Sequence, residues 1–374
     1  MIKLASPDIR EEDIQRMGDV LRSGNLIQGE YVAEFEKALA LYCNSPHSAV
    51  VSSGTAALHL GLMACGIQPG DYVVVPAFTF PATANVVELM GAHALFCDVD
   101  ACSYVMTPEL LTLCLQSNAE KPIKAVMVVH EFGYPAPIKS ISKICRDHEL
   151  TIIEDAACAL GTVADGFPVG AYSDLACFSF HPRKSITSGE GGAVICMNPQ
   201  IIERIRRLRN HGIEKSPAGL DFGEAGLNYR MTEFQAALIL GQLDRLDYEI
   251  RRKKELSEIY TQLLCKNEWI TCPEIPAGHS LQSYMIVLDR RLDRRDIIDK
   301  LYQHGIETNL GAQALPALSY YRHKYHSDSC TNEYSAALNL YRQGLVLPLY
   351  GKLTNSDIVY IASTLCESIV SIIN

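Results

Sequence analysis

The sequence lacks paired cysteines, long apolar runs and any excess of basic residues. None of its 13 cysteines stands in a Cys-x-x-Cys pair, and their odd number argues against a disulfide framework. The 33 basic side chains are outnumbered by 43 acidic ones, and the net charge of −10 disfavours nucleic acid as a partner. No stretch approaches the roughly 20 uncharged apolar residues of a membrane span. We therefore expect a cytoplasmic protein that binds neither a membrane nor nucleic acid.

The sequence also has little that indicates a metal site. Cys97 and Cys102 are closely spaced, but no second pair at zinc-site spacing accompanies them. Most of the other cysteines lie inside apolar segments, where a thiol acts as a small buried hydrophobe. We therefore predict no metal.

Short apolar segments alternate with helical patterns over the first half of the chain. Seven of these segments have the length of strands, and most are apolar throughout rather than at every second residue. Such strands are typical of a parallel sheet that helices cover on both faces. The pattern predicts an α/β domain with a mostly parallel seven-stranded sheet. Its strands are residues 48–51, 72–75, 94–97, 125–129, 151–154, 175–180 and 192–196.

The last third of the chain predicts a second, smaller domain. A length of 374 residues exceeds the usual size of one domain, roughly 100–200 residues. A continuous helical pattern over residues 231–264 connects the two parts. We expect a large domain of residues 1–245 and an α+β domain of residues 246–374. The predicted strands of the smaller domain are residues 269–272, 284–288 and 306–309.

Polar residues stand at two junctions where strands end. Ser53-Gly54-Thr55 leads from a strand into a helix, and the free N–H groups there would bind a phosphate or simply cap the helix. Glu154 and Asp155 end another strand, at the edge where parallel sheets collect their ligands. A carboxylate buried there needs a cation, which could be the protonated ring nitrogen of a ligand or an arginine.

Lys184 lies in a loop of small residues, four positions after a strand. A lysine that is partly desolvated, or near another cation, has a lowered pKa and can act as nucleophile and base. His181 in the same loop is either a second base or a residue that orients the loop. A phosphate cradle, a strand-end carboxylate and a lysine are together the groups that hold pyridoxal 5′-phosphate (PLP).

The order and spacing of these motifs carry a resemblance to a known family. The sequence resembles the DegT/StrS-type sugar aminotransferases, which are PLP enzymes of the aspartate aminotransferase fold (fold type I), along nearly its whole length. The resemblance implies the fold predicted above and PLP as the cofactor. The segments that carry it are residues 23–29, 53–55, 75–80, 154–157, 189–192 and 226–233.

The resemblance implies a role for each matching residue. Lys184 would be the catalytic lysine that links covalently to PLP, and Asp155 would keep the pyridine nitrogen protonated. Asn228 would reach the cofactor phosphate of a neighbouring subunit, so the family implies a homodimer with shared active sites. The other cofactor contacts would be Gly54, Thr55 and Ser179 at the phosphate, Phe80 on the ring and Cys158 near the 3-hydroxyl.

The sequence departs from the family pattern at two places. Relatives usually carry glutamine or histidine where this chain has Cys158, whose thiol is a weak hydrogen-bond partner. Residues 310–316 differ from the family's His- and Tyr-containing stretch, which leaves substrate recognition open. The candidate substrate contacts are His211, Arg230 and Tyr321, each of which could equally cap a helix or lie on the surface.

The activity implied by the resemblance is transamination. L-Glutamate would be the amino donor, and a nucleotide-linked keto sugar, preferably a 4-keto-6-deoxyhexose, would be the acceptor. Lys184 disfavours the related dehydratases, in which histidine replaces the lysine. Two alternatives stay open, namely another fold type I activity, such as a desulfurase or a lyase, and a PLP-binding regulator without turnover.

Overall fold

The computed structural model describes residues 1–217, 219–325 and 334–373. Two short 3₁₀ turns, Glu131–Gly133 and Leu315–Ala317, accompany its helices and strands. The α-helices are α1 (Glu11–Ser23), α2 (Glu30–Tyr42), α3 (Gly54–Ala64), α4 (Ala82–Leu89), α5 (Pro108–Gln116), α6 (Ile138–Asp147), α7 (Pro199–Leu208), α8 (Glu233–Leu243), α9 (Leu246–Leu264), α10 (Arg294–Gln303), α11 (Ser319–Tyr325), α12 (Ser335–Gln343) and α13 (Asn355–Ile373). The strands are β1 (His47–Val51), β2 (Tyr72–Pro76), β3 (Phe78–Thr79), β4 (His93–Cys97), β5 (Ile123–Val129), β6 (Thr151–Asp155), β7 (Val163–Ala164), β8 (Phe167–Pro168), β9 (Leu175–Ser179), β10 (Gly192–Cys196), β11 (Ile213–Ser216), β12 (Gly219–Phe222), β13 (Ile270–Thr271), β14 (Tyr284–Leu288), β15 (Gln313–Ala314) and β16 (Gly344–Leu347).

The seven predicted strands form one sheet in the order β1-β10-β9-β6-β5-β2-β4. Five neighbouring strands, from β9 to β4, pair in parallel, and β10 runs antiparallel to both of its neighbours, β1 and β9. Val73 and Val75 are buried on one face of β2 and Val74 on the other. Because both faces of the sheet are covered, its strands are apolar throughout. The predicted α/β class and the mostly parallel seven-stranded sheet are confirmed.

The second part of the chain contains a three-stranded antiparallel sheet in the order β13-β14-β16. The prediction of a strand at residues 306–309 is wrong, because that segment makes only single bridges, from Ile306 to Ile2 and from Asn309 to Val346. The long helix predicted over residues 231–264 is two helices, α8 and α9. At the break, Arg245 donates hydrogen bonds to the Gly241 carbonyl and to Asp13. The domain division at residue 245 stays a prediction.

Helix α13 is the one described helix whose length and apolar composition meet the criteria for a membrane span. Its residues Ile358, Ile361, Leu365 and Ile369 recur every three or four positions and are buried in the core beside the small sheet. The apolar face of this helix therefore packs inside the protein.

The parallel arrangement brings several chain segments to one edge of the large sheet. The segments that follow β5, β6 and β9 all leave at the carboxyl ends of parallel strands. Glu131 and Lys184 lie in the segments after β5 and β9, and Asp155 is the last residue of β6. Ligands of open α/β sheets bind at this edge.

A buried glutamate holds helix α2 against α8. Glu233 accepts hydrogen bonds from the backbone N–H groups of Gly29, Tyr31 and Val32, at N···O distances of 2.7, 2.6 and 3.1 Å. N–H groups at the first turn of a helix have no partner within the helix, and negative charge is favoured there. One carboxylate therefore fixes the amino-terminal segment onto the core.

Glu233→Gln is expected to lower the free energy of unfolding by about 1–3 kcal/mol, because the amide loses the charge and one acceptor oxygen beside buried N–H groups. Urea denaturation followed by circular dichroism measures the change. Glu34→Gln, on the exposed side of α2, is the matched control. Equal stability of the two variants would contradict this role of Glu233.

Candidate active site

The polar segments meet around one cavity of about 290 Å³. This volume is close to the lower end of small-molecule sites, roughly 300–1,000 Å³. Of the eight residues predicted to contact the cofactor, all but Asn228 line it. These seven are Gly54, Thr55, Phe80, Asp155, Cys158, Ser179 and Lys184.

One end of the cavity is the amino terminus of α3. The Ser53 side chain caps the helix by accepting a hydrogen bond from the Ala56 N–H, at 3.1 Å. Within the described chain, the N–H groups of Gly54 and Thr55 are left for a ligand. A Cβ atom at Gly54 would lie 2.7 Å from the Ser179 Cβ, so glycine lets the Ser179 hydroxyl approach the helix end. Helix N-termini of this kind bind phosphate.

Asp155 is buried on the cavity wall, with 5% of its surface exposed. Its carboxylate accepts hydrogen bonds from the Thr83 hydroxyl at 2.8 Å and from the Ala157 N–H at 3.1 Å. Burial raises the pKa of Asp155, although these two donors and Lys184 oppose the rise. No arginine of the described chain forms an ion pair with Asp155, so the alternative of a structural Arg–Asp pair finds no support.

The neighbouring carboxylate, Glu154, has a partner of its own. His130 Nε2 donates to Glu154 Oε2 at 2.6 Å, and both side chains are fully buried. His130 Nδ1 accepts a hydrogen bond from the Ala136 N–H at 3.0 Å, which assigns the ring proton to Nε2. Glu154 is thus held by a neutral histidine and by the Gly170 N–H, and only Asp155 lines the cavity.

Lys184 lies beside the thiol that departs from the family pattern. Its Nζ donates to Cys158 Sγ at 3.0 Å. Burial lowers the pKa of Lys184, but Cys158, Glu131 and Asp155 outweigh burial and the pKa is raised. The lowering of the pKa that desolvation alone would give Lys184 is therefore reversed, first by Cys158 and then by the two carboxyl groups.

The loop that carries Lys184 is fixed at several points. The Gln242 side chain both accepts from the Thr187 N–H and donates to the Thr187 carbonyl, at 3.0 and 2.8 Å. His181 Nδ1 accepts from the Arg183 N–H at 3.2 Å, which agrees with a residue that orients the loop. Lys253, a buried lysine on α9, donates to the Ser185 hydroxyl at 3.1 Å. Burial lowers the pKa of Lys253 to about 8.

Sequence reasoning missed Glu131, a second buried carboxyl group on the cavity wall. It follows β5 as Asp155 ends β6, so the argument from strand ends could have found it. The next residue, Phe132, has a left-handed backbone with φ of 56°. Burial raises the pKa of Glu131 to about 7.

A second cavity, of about 90 Å³, adjoins the first on the side of the small sheet. The two share Phe80, Glu131, Cys158, Arg183 and Lys184. The remaining walls come from the amino terminus and from the second part of the chain. They include Leu4, Gln282, Ser283, Leu310, Gly311 and Leu347.

Four predicted site residues do not line either cavity of the described chain. Tyr321 is buried in the core, where its hydroxyl donates to Asn85 at 2.5 Å, so it lies away from the cavities. Arg230 donates to the Asn210 side chain at 2.5 Å. His211 is exposed on the turn before β11, and Asn228 is exposed on the segment after β12.

Comparisons with known proteins agree along the whole chain. Residues 7–366 match the model of the DegT/DnrJ/EryC1/StrS aminotransferase family. GDP-perosamine synthase of Vibrio cholerae is 32% identical over 366 residues, which is 96% of each chain. The UDP-4-amino-4,6-dideoxy-N-acetyl-beta-L-altrosamine transaminase of Campylobacter jejuni is 30% identical over 370 residues, which is 98% of this chain and 96% of the relative.

Solved structures show the same fold. The aminotransferase TlmJ of Streptoalloteichus hindustanus superposes with a TM-score of 0.91 at 28% identity and covers 100% of both chains. Spr1654 of Streptococcus pneumoniae, in its PLP-form, superposes with a TM-score of 0.89 at 28% identity over 98% of both chains. The chain belongs to the DegT/DnrJ/EryC1/StrS aminotransferase family.

Proposed function

We propose that the protein is a PLP-dependent aminotransferase that converts a nucleotide-linked keto sugar to an amino sugar, with L-glutamate as the donor. The observation that carries the proposal is one cavity with a helix N-terminus at one end and both Asp155 and Lys184 on its walls. The names of the relatives from Vibrio cholerae and Campylobacter jejuni support the nucleotide sugar.

The residues of the cavity fit PLP. The N–H groups of Gly54 and Thr55, together with the Ser179 hydroxyl, would hold the phosphate. Asp155 lacks an ion-pair partner within the described chain, and a protonated ring nitrogen would supply the cation that its burial requires. Phe80, which is 59% exposed, offers its ring to a planar ligand. When bound, PLP supplies an electron sink and a carrier for the amino group.

Lys184 would act as the acid and base of the reaction. Its Nζ would carry the proton that leaves the α-carbon of the amino donor, and in the second half-reaction it would deliver a proton to the sugar carbon. Lys184 must first lose its own proton. Neutralising the charge of Asp155 with a ring cation removes one of the groups that raise the pKa of Lys184.

The sugar would occupy the adjoining cavity. Leu310, Gly311 and Ala312 line it, and the next residues, Gln313 and Ala314, form β15, which pairs with β3 just before Phe80. The segment that departs from the family pattern therefore lies where it would select the substrate. The name of the Campylobacter jejuni relative describes an amine at C4 of a 6-deoxy sugar. It supports a 4-keto-6-deoxyhexose as acceptor.

A homodimer would complete the site. Asn228 lies beside the β11–β12 hairpin, where Leu220 and Phe222 expose 72% and 63% of their surfaces. Apolar side chains exposed on a protruding hairpin indicate a protein contact. We propose that Asn228, with His211 and Arg230 nearby, reaches the site of the neighbouring subunit.

The proposed compartment is the cytoplasm. The cysteines within the described residues are all free, which fits a reducing environment.

L-Glutamate alone is expected to transfer its amino group to the bound PLP. The cofactor absorbance should change, and one 2-oxoglutarate should be released per site. Lys184→Arg keeps a cation beside Cys158 but cannot act as the acid and base. The rate of this half-reaction should therefore fall by about 10²–10⁴-fold. Lys143→Arg, at an exposed position, is the control. No spectral change with any amino donor would favour the regulator instead, and products other than a keto acid would favour a lyase or desulfurase.

The protein with the aminated cofactor is expected to convert a nucleotide-linked 4-keto-6-deoxyhexose to the corresponding amino sugar. Mass spectrometry of a panel of nucleotide sugars with keto groups at C3 or C4 detects the product by the replacement of a carbonyl by an amine. Product from the 3-keto sugars alone would overturn the assignment to C4.

Paired substitution of Leu220 and Phe222 by aspartate is expected to convert the protein to monomers and to weaken PLP binding, because charge on the hairpin opposes its burial. Light scattering gives the mass, and Tyr302→Asp on the exposed side of α10 is the control. A wild-type monomer would contradict the proposed dimer.

A further inference from the structure

Arg183 is an unpaired cation next to the proposed catalytic lysine. Its side chain lines both the first cavity and the adjoining one, as that of Lys184 does. Arg183 is exposed, and within the described chain its guanidinium group forms neither an ion pair nor a hydrogen bond. An arginine keeps its charge at any physiological pH. The two cavities therefore share a permanent positive charge that no described acid pairs with.

The backbone of Arg183 is held on both sides. Its N–H group donates to His181 Nδ1 at 3.2 Å, and its carbonyl oxygen accepts from Gln282 Nε2 at 2.8 Å. His181 belongs to the same loop, whereas Gln282 comes from the segment before β14. These contacts fix the point from which the side chain extends, and this lowers the entropic cost of ordering it around a ligand.

The other groups of the two cavities leave few places for an anion. Among the described residues that line them, Lys184 is the only other lysine or arginine. Lys184 has to act as the base, so it cannot also hold an anion as an ammonium group. His181 lines the first cavity, but burial lowers its pKa, so its ring is neutral near pH 7. The amino terminus of α3 is taken by the cofactor phosphate in the proposed function.

We infer that Arg183 binds the α-carboxylate of the amino donor. The inference rests on the proposed function, because it requires an amino acid to enter the cavity. A guanidinium group presents two parallel N–H groups that match the two oxygens of a carboxylate. Binding would place the α-carbon of the donor next to Lys184, the adjacent residue in the chain. Arg183 would thus select α-amino acids as donors.

The reaction brings a second anion to the site, the diphosphate of the nucleotide sugar. The α-carboxylate is bonded directly to the carbon that loses its proton, whereas the diphosphate is separated from C4 of the sugar by most of the hexose ring. A cation adjacent to Lys184 is therefore placed for the carboxylate. The keto sugar has no charged group bonded to its reacting carbon, so Arg183 would then be hydrated, which its exposure allows.

Calorimetry with 2-oxoglutarate tests this contact without turnover. The keto acid has both carboxylates of the donor but no amino group, so the PLP-loaded protein can bind it without reacting. We expect Arg183→Met to raise the dissociation constant by about 10–100-fold, because a charge-assisted hydrogen-bonded pair is lost. Arg146→Met, at an exposed position of α6, is the matched control and should bind as the wild type does. Equal affinity of Arg183→Met and the wild type would overturn the inference.

The two half-reactions separate the carboxylate from the diphosphate. In single turnovers of the PLP-loaded protein with limiting L-glutamate, the second-order rate constant should fall in Arg183→Met by a factor similar to the loss of affinity. The variant loaded with pyridoxamine phosphate should aminate the nucleotide-linked keto sugar with an unchanged KM. A raised KM for the sugar, alone or together with the effect on L-glutamate, would assign Arg183 to the diphosphate or to general positioning and overturn the inference.

L-Glutamine distinguishes the two carboxylates of the donor. It keeps the α-carboxylate but has an amide in place of the side-chain carboxylate, and its single turnover can be followed over hours. The substitution Arg183→Met should slow both donors by the same factor. A loss confined to L-glutamate would assign Arg183 to the side-chain carboxylate and contradict the inference.

Failure of the wild type to bind PLP, or to react with any amino donor, would instead overturn the proposed function. A wild type that transfers the amino group of L-glutamate, together with an Arg183→Met variant that does so equally well, would remove only the role of Arg183.

Discussion

The buried charge of Asp155 is the constraint on which the site depends. A carboxylate removed from water is stable only with donors and a cation. The protein supplies the donors from Thr83 and Ala157, but the described residues provide no ion-pair partner. A ligand with a protonated nitrogen meets this need, so the energetic cost of burying Asp155 becomes part of the affinity for that ligand.

The rest of the site follows from how the sheet places other groups around this carboxylate. Parallel strands deliver Glu131, Asp155 and the Lys184 loop to one edge, while α3 points its amino terminus at the same cavity. Gln242 and Lys253 fix the loop from two further helices. The lysine is therefore held close to Cys158, Glu131 and Asp155, the groups that raise its pKa.

Sequence reasoning predicted the class of the sheet but not the order of its strands, and seven of the residues that it singled out line one cavity. Strands apolar on both faces predict a parallel sheet, and polar residues after such strands predict its ligand edge. The reasoning failed where long-range packing decides. The pKa of Lys184 depends on acids from other segments, Tyr321 is buried by contacts around Phe96, and residues 306–309 lack a continuous partner strand. Glu131 was missed although its position after β5 follows the same rule as that of Asp155.

The central claim is that a B6 cofactor becomes covalently attached at Lys184 opposite Asp155. Borohydride reduction of the PLP-loaded protein, followed by proteolysis and mass spectrometry, locates that attachment directly. The account predicts a single reduced adduct on the peptide that contains Lys184, with no adduct there in the Lys184→Arg variant. An adduct on another lysine as the main product, or none at all, would contradict it.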